Sequence, residues 1–310
     1  MGGLRRATLA ATAALGLAGA VLAQSPAPPS APEPPRRNTV QELIEQMGKD
    51  DFSGMAASRE LARMGEPAIA ALATALQDPV PRVRYWSIAA LSGMENDRVL
   101  PAILGRLDDD DALVRAVAVW HLGRWYGRQD VREAVLKRLG DQSPFVRGWV
   151  LKLIQSKRDT EAADQVRALL EAAEPEVRYD ALHTLAIVEG PDALDALRRA
   201  AREEVSELVR ECALRCTTVF DPQTPRVAEV LLIGLRDEDE GVRQLAARLL
   251  RKGFGQFFAF DASAEPPARE AAARKWQEWY EANSGKLQWN AENRRFQVRQ
   301  TPSHSEEAVR

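Results

Sequence analysis

Leu107–Trp125, LDDDDALVRAVAVWHLGRW, sets the pattern for the chain: a leucine, an acidic turn, a Val-Arg pair and an apolar run at helical spacing. The same frame returns as LQDPVPRVRYWSIAAL from Leu76, LGDQSPFVRGWVLKLI from Leu139, LEAAEPEVRYDALHTL from Leu170, AREEVSELVRECALRC from Ala201 and LRDEDEGVRQLAARLL from Leu235. The arginines of the pair are Arg84, Arg115, Arg147, Arg178, Arg210 and Arg243, separated by 31, 32, 31, 32 and 33 residues. A period this constant means stacked supersecondary units, each burying its apolar face against the next, rather than one globular core.

Each position of the frame has a physical task when counted from its valine. Three residues earlier stand Asp111, Ser143, Ser206 and Asp239, types whose side-chain oxygens accept the free amides of a helix start. Two residues earlier stand Pro81, Pro144 and Pro175, suited to the first helical turn, where a missing donor costs nothing. Four and eight residues later come Ser87/Leu91, Ala118/Leu122, Val150/Ile154, Ala181/Leu185, Ala213/Thr217 and Ala246/Leu250, one buried stripe per helix. The segment before each acidic turn, such as PAIAALATAL, reads as a second amphipathic helix. The result is two helices per repeat.

Two helices in about 31 residues, with Val-Arg opening the second, resembles the short HEAT-like repeats of the phycobilisome-lyase type. The resemblance covers Asn38 to Gly253 and implies an all-α, right-handed, armadillo-type solenoid of about seven helix pairs. In such stacks the second helix lines the concave side. Thr39-Val-Gln-Glu42 is a capping-box pattern opening a degenerate first pair. After Gly253 the period stops. Pro266-Pro267 opens an alanine-rich helix, and Leu287, Trp289, Phe296 and Val298 alternate about NAENRR like a short hairpin. Residues 254–298 are therefore expected to cap the solenoid, with Trp276, Trp279 and Trp289 sealing its end or forming a carbohydrate-binding platform.

The flanks carry targeting and linker features. Arg5-Arg6, an apolar run from Ala7 to Ala20 and small residues up to Ala23 read as a signal peptide over 1–23, so the mature chain is expected to begin at Gln24 and to be exported to the periplasm or beyond; a retained anchor is the alternative. Residues 24–37 are proline-rich and read as an extended spacer, and 299–310 as a disordered tail. A net formal charge of −3, more negative by two if Arg5 and Arg6 leave, argues against nucleic acid as the main partner. No membrane span is expected after leader cleavage, and the chain is expected to be a monomer. Cys212 and Cys216, four apart on one helix face, read as small core residues rather than a disulfide.

Catalytic machinery is not visible. His121, His183 and His304 lie far apart, and none is followed by glutamate, the dipeptide with which the HEAT-repeat hydroxylases hold di-iron. The acidic runs Asp108–Asp111 and Asp237–Glu240 fail the calcium-loop pattern and read as inter-helix turns. No phosphate loop, nucleophile elbow or cysteine-pair site occurs. No enzyme activity, cofactor or metal is expected; a lyase- or hydroxylase-type HEAT enzyme is the competing class.

Two residue sets stand out. Asp78, Asp109, Asp141, Glu204 and Asp237 stand five residues before the valine, with Ala172 in the fourth copy. With the six Val-Arg arginines they are expected to form an ion-pair ladder, within or between repeats, in which Arg178 lacks its acid. The second set lies on the far side of the second helix, where packing dictates nothing. Tyr85 and Tyr179 stand two residues after the valine; Trp120, Lys152, His183, Arg215 and Arg248 stand six after it. With the second helices lining the concave side, as the resemblance implies, they form one continuous strip, aromatic at one end and basic at the other, that a protein or peptide partner is expected to occupy along the concave face. The reading as a whole is a cell-envelope scaffold.

Overall fold

A computed structural model describes residues 38–94, 96–220 and 223–299. The leader, the linker up to residue 37 and the tail beyond Arg299, with His304, lie outside these. The described body is one compact unit beginning at Thr39.

Fifteen α-helices follow one another in it. Seven antiparallel pairs come first: α1 Val40–Met47 with α2 Asp51–Met64, α3 Glu66–Ala75 with α4 Pro81–Ser92, α5 Leu100–Leu104 with α6 Ala112–Leu122, α7 Gln129–Leu136 with α8 Pro144–Lys157, α9 Ala163–Ala168 with α10 Pro175–Val188, α11 Leu194–Glu203 with α12 Glu207–Cys216, and α13 Val227–Gly234 with α14 Glu240–Phe254. The first helices of the third to fifth pairs are short and run on into a 3-10 turn, Gly105–Asp108, Lys137–Gly140 and Leu169–Glu171. The even-numbered helices pack side by side as one layer, α2 against α4 through to α12 against α14. This is an α-solenoid.

Local sequence accounts for the element boundaries. At α1 the Thr39 hydroxyl accepts from the Glu42 amide at 3.2 Å while the Glu42 carboxylate accepts from the Thr39 amide at 2.7 Å, completing the capping box. Asp111 accepts from the amides of Leu113 and Val114, and Asp239 from that of Val242. Ser143 and Ser206 occupy the same position but make no side-chain cap, contrary to the sequence expectation. Their backbone carbonyls still open the helix, accepting from Arg147 and Arg210. Prolines stand in the first turn of α4, α8 and α10. Gly65 at φ 67° and Gly255 at φ 66° stop α2 and α14 in a region that L side chains avoid.

Between the layers, Leu91, Leu122, Ile154, Leu185 and Leu250 are all buried, and each stabilises the stack by roughly 2 kcal/mol of apolar transfer. The stripe continues into the cap. Helix α15, Pro266–Asn283, buries Trp276 and Tyr280, and the antiparallel pair β1 Leu287–Asn290 and β2 Arg295–Val298 places Trp289 opposite Phe296. Phe254 at the end of α14 meets Trp279, Tyr280 and Phe296, and Phe258 meets Trp276 at 4.9 Å, so aromatic rings close the end of the last repeat. Of the cap tryptophans only Trp289 is substantially exposed, at 39%.

Candidate partner-binding face

The Val-Arg arginines sit at the rim of the core and reach forward, each to the next repeat. Arg84 holds Asp109 through two nitrogens at 2.9 and 2.6 Å and also meets Asp110. Arg115 grips Asp141 at 2.9 and 2.8 Å, Arg178 grips Glu204 at 2.8 and 3.0 Å, and Arg210 grips Asp237 at 2.8 and 3.0 Å. Each arginine also donates to the backbone carbonyl five residues before its own valine: Asp78, Asp109, Asp141, Ala172, Glu204 and Asp237 in turn. The acid missing at Ala172 is therefore the rung for Arg147, not for Arg178 as expected. Arg147 turns instead to Glu174 at 2.5 Å, a half-exposed carboxylate. Asp78 lacks a preceding arginine, and its carboxylate accepts from the Val80 amide. Arg243 finds no further repeat and donates twice to the Ala262 carbonyl of the cap, at 3.0 and 2.8 Å.

Burial and pairing oppose each other in these carboxylates. Burial raises the Asp141 carboxyl, but the Arg115 guanidinium and the Ser143 amide outweigh it and hold the group below the usual carboxylate range. Asp109 follows the same pattern with Arg84 and the Asp111 amide.

The outer face of the even-numbered layer carries the proposed strip. Trp120 is 48% exposed on α6, and its ring meets Trp149 of α8 edge-on at 5.4 Å; Trp149 in turn meets Phe145 at 6.2 Å, and Lys152 lies over its ring at 5.1 Å. Tyr179 stacks on His183 one turn along α10 at 6.4 Å. Tyr85 packs edge-on against Trp86 at 4.8 Å, at the far end from the strip's exposed arginines Arg215 and Arg248. Arg215 pairs with Glu211 at 2.7 Å. Burial pushes the Tyr85 and Tyr179 phenols up and the His183 imidazole down.

Several residues of this face were not anticipated. Trp86, Trp149 and Asp180 stand three after the valine, and the exposed Leu113, Phe145 and Leu208 one before it. At about 100° per residue both positions fall on the same side of the helix as the residue six after the valine, so helical arithmetic extended by two positions would have found them. Asp180 closes over the buried Gly148, where a Cβ would come 3.1 Å from its carboxylate oxygen. Burial raises the Asp180 carboxyl, opposed by the charges of Lys152 and His183.

Chemistry elsewhere is sparse. Cys212 and Cys216 are buried and unlinked, their sulfurs 3.6 Å apart, and that contact together with burial pushes the Cys212 thiol up. Among the described residues no group of three or more His, Cys, Asp or Glu is placed to hold a metal ion, and no helix is long and apolar enough to cross a membrane.

A two-layer helical stack with a repeat-to-repeat arginine ladder and an exposed aromatic face defines a repeat scaffold. The sequence matches the model of HEAT repeats over residues 40–123 and 132–217, more than half the chain, and the protein belongs to that family. No curated protein matches the sequence. Among solved structures it is similar to a Kap121p mutant, at 15% identity over 68% of this chain and 29% of that one, and to Kap95p, whose binding induces the switch loops of RanGDP to adopt the GTP-bound conformation, at 14% identity over 82% and 39%, both with a TM-score of 0.50. The complex of CpcE and CpcF of phycocyanin lyase from Nostoc sp. PCC7120 is 22% identical over 47% of this chain and 96% of that one, with a TM-score of 0.40. The chain thus spans well under half the length of the two karyopherins.

Proposed function

We propose that this protein is a non-enzymatic scaffold of the cell envelope that binds a protein or peptide partner on the outer face of its even-numbered helices. The observation that carries the reading is the aromatic group Trp120, Phe145 and Trp149. The first two are about half exposed, so the ring contacts that link Trp120 to Trp149 across repeats and Phe145 to Trp149 within one leave much of both side chains in water. Large aromatic side chains left in water on a rigid surface are the type that anchors protein interfaces. The similarity to Kap95p, a solenoid that binds RanGDP, supports the same class of role. Placement in the envelope rests on the leader at residues 1–23, whose removal leaves Gln24 at the N-terminus.

Photo-crosslinking tests this. A crosslinking residue in place of Phe145 should capture a defined partner in envelope fractions, whereas the same residue at the exposed Arg202 on α11, in the opposite layer, should not. Equal capture from both positions would remove the assignment to this face.

A further inference from the structure

Where α4, α6 and α8 end, the face opens into a cleft of about 390 Å³ lined by Ser92, Trp120, His121, Arg124, Ser156 and Lys157. Arg124 and Lys157 are exposed, and among the described residues neither side chain makes a hydrogen bond or ion pair; the Arg124 side chain only lies over the Trp125 ring, at 5.6 Å. His121 is held close to Ser92, its Nδ1 2.7 Å from the hydroxyl oxygen, and burial lowers its pKa to about 4, so it adds no charge near neutrality. Two uncompensated cations thus stand beside a half-exposed indole, while Lys152, which faces Asp180, lies over Trp149. Most exposed arginines of the opposite layer and of the turns have acids at hand, as in Arg98 with Glu66, Arg128 with Asp130 and Arg199 with Glu171.

The helix dipole favours cations at helix ends, but it does not call for a tryptophan among them. We infer that this cleft receives an acidic segment of a partner protein, an Asp or Glu carboxylate meeting Arg124 and Lys157 while a neighbouring aliphatic or aromatic side chain packs on Trp120, Trp149 and Phe145. A nucleic acid fits less well. It carries a charge on every residue, and Asp51 and Asp111 stand on the same face beside Tyr85, Trp86 and Leu113, on a chain that is acidic overall. A segment with spaced carboxylates and apolar anchors places charge only where the cations are.

The inference rests on the binding face proposed above, and the test separates the two. Fluorescence anisotropy of the full chain is measured with a labelled dodecapeptide alternating glutamate with leucine and phenylalanine. The controls are a lysine-for-glutamate version, a serine-for-apolar version, an oligothymidylate of the same length and phosphatidylglycerol vesicles. The acidic apolar peptide should bind at least about tenfold more tightly than either peptide control, and in a salt-dependent way. Arg124→Glu with Lys157→Glu should weaken it at least about tenfold and flatten the salt dependence, and Trp120→Ala should weaken it similarly without altering that dependence. Failure of the acidic peptide to bind, equal binding of the lysine version, preferential binding of the oligonucleotide or the vesicles, or undiminished binding by the charge-reversed variant would each overturn the inference. If crosslinking at Phe145 persists in that event, the binding face stands and only its preference for acid falls; if crosslinking is lost as well, both fall.

Discussion

Arg147 and Asp141 belong to the same repeat and do not form an ion pair. Arg147 donates to the backbone carbonyl of Asp141 at 2.7 Å, while the Asp141 carboxylate is held by Arg115 of the preceding repeat. One residue thus carries two couplings, its backbone to its own helix and its side chain to the helix behind. The ladder therefore sets the stacking of repeats and not only their turns.

The rungs should differ in strength according to burial. The Arg115–Asp141 side chains are 6% and 4% exposed, against 13% and 38% for Arg147–Glu174. Arg115→Ala strands a buried carboxylate and should cost about 3–5 kcal/mol, whereas Arg147→Ala leaves a carboxylate that water can reach and should cost about 1 kcal/mol. Urea unfolding of both variants measures the difference, and equal losses would contradict the forward-pairing ladder.

Acid should weaken the stack through the same groups. Asp109, Asp141 and Asp159 titrate lower in the folded chain than in the unfolded one, so their contribution is complete above the unfolded carboxylate range and disappears as pH falls through their folded values. The urea midpoint should drop as pH falls below about 5, and drop less steeply in Arg115→Ala, where Asp141 has lost a partner that lowers it.

Gly54 occupies, in the first pair, the place that the Val-Arg arginine takes in later copies, and the Trp86 indole lies on it. A Cβ there would fall 2.2 Å from the indole nitrogen. Gly54→Ala should therefore displace Trp86 and cost about 1–3 kcal/mol, with a shift in tryptophan emission; unchanged emission and stability would show that the contact is loose.

In the cap, Trp276 is 2% exposed and Trp289 39%. Trp276→Ala should cost about 3–5 kcal/mol and promote aggregation by opening the last repeat, whereas Trp289→Ala should change stability by under about 1 kcal/mol. The reverse order in thermal melts would make Trp289 the seal.

The repeat frame was legible because each copy restates the same physics: a proline or acid at the helix start, a valine facing the core, an arginine at its border. The direction of the ladder was not. Five residues separate Asp141 from Val146 in sequence, but the distance from Asp141 to Arg115 is set by how helices stack, which no single repeat encodes. Ala172 illustrates the cost: within one repeat its gap points to Arg178, and only the stacking gives it to Arg147. On the outer face the exposed Trp120 was found from its helical position. Trp149 and Phe145 stand three after and one before the valine, outside the two positions, two and six after it, that define the strip. The cleft at Arg124 and Lys157 depends on the ends of three helices meeting, which spacing within one repeat does not show.

The most direct test of the binding face is the affinity of the partner captured by crosslinking for Trp120→Ala with Phe145→Ala, measured by calorimetry beside a thermal melt of the same variant. Both residues are about half exposed, so the melting temperature should stay within about 2 °C of the parent, while affinity should fall at least about 30-fold, the equivalent of some 2 kcal/mol at an interface anchor. Unchanged affinity in a fully folded variant would contradict the assignment of this face to partner binding.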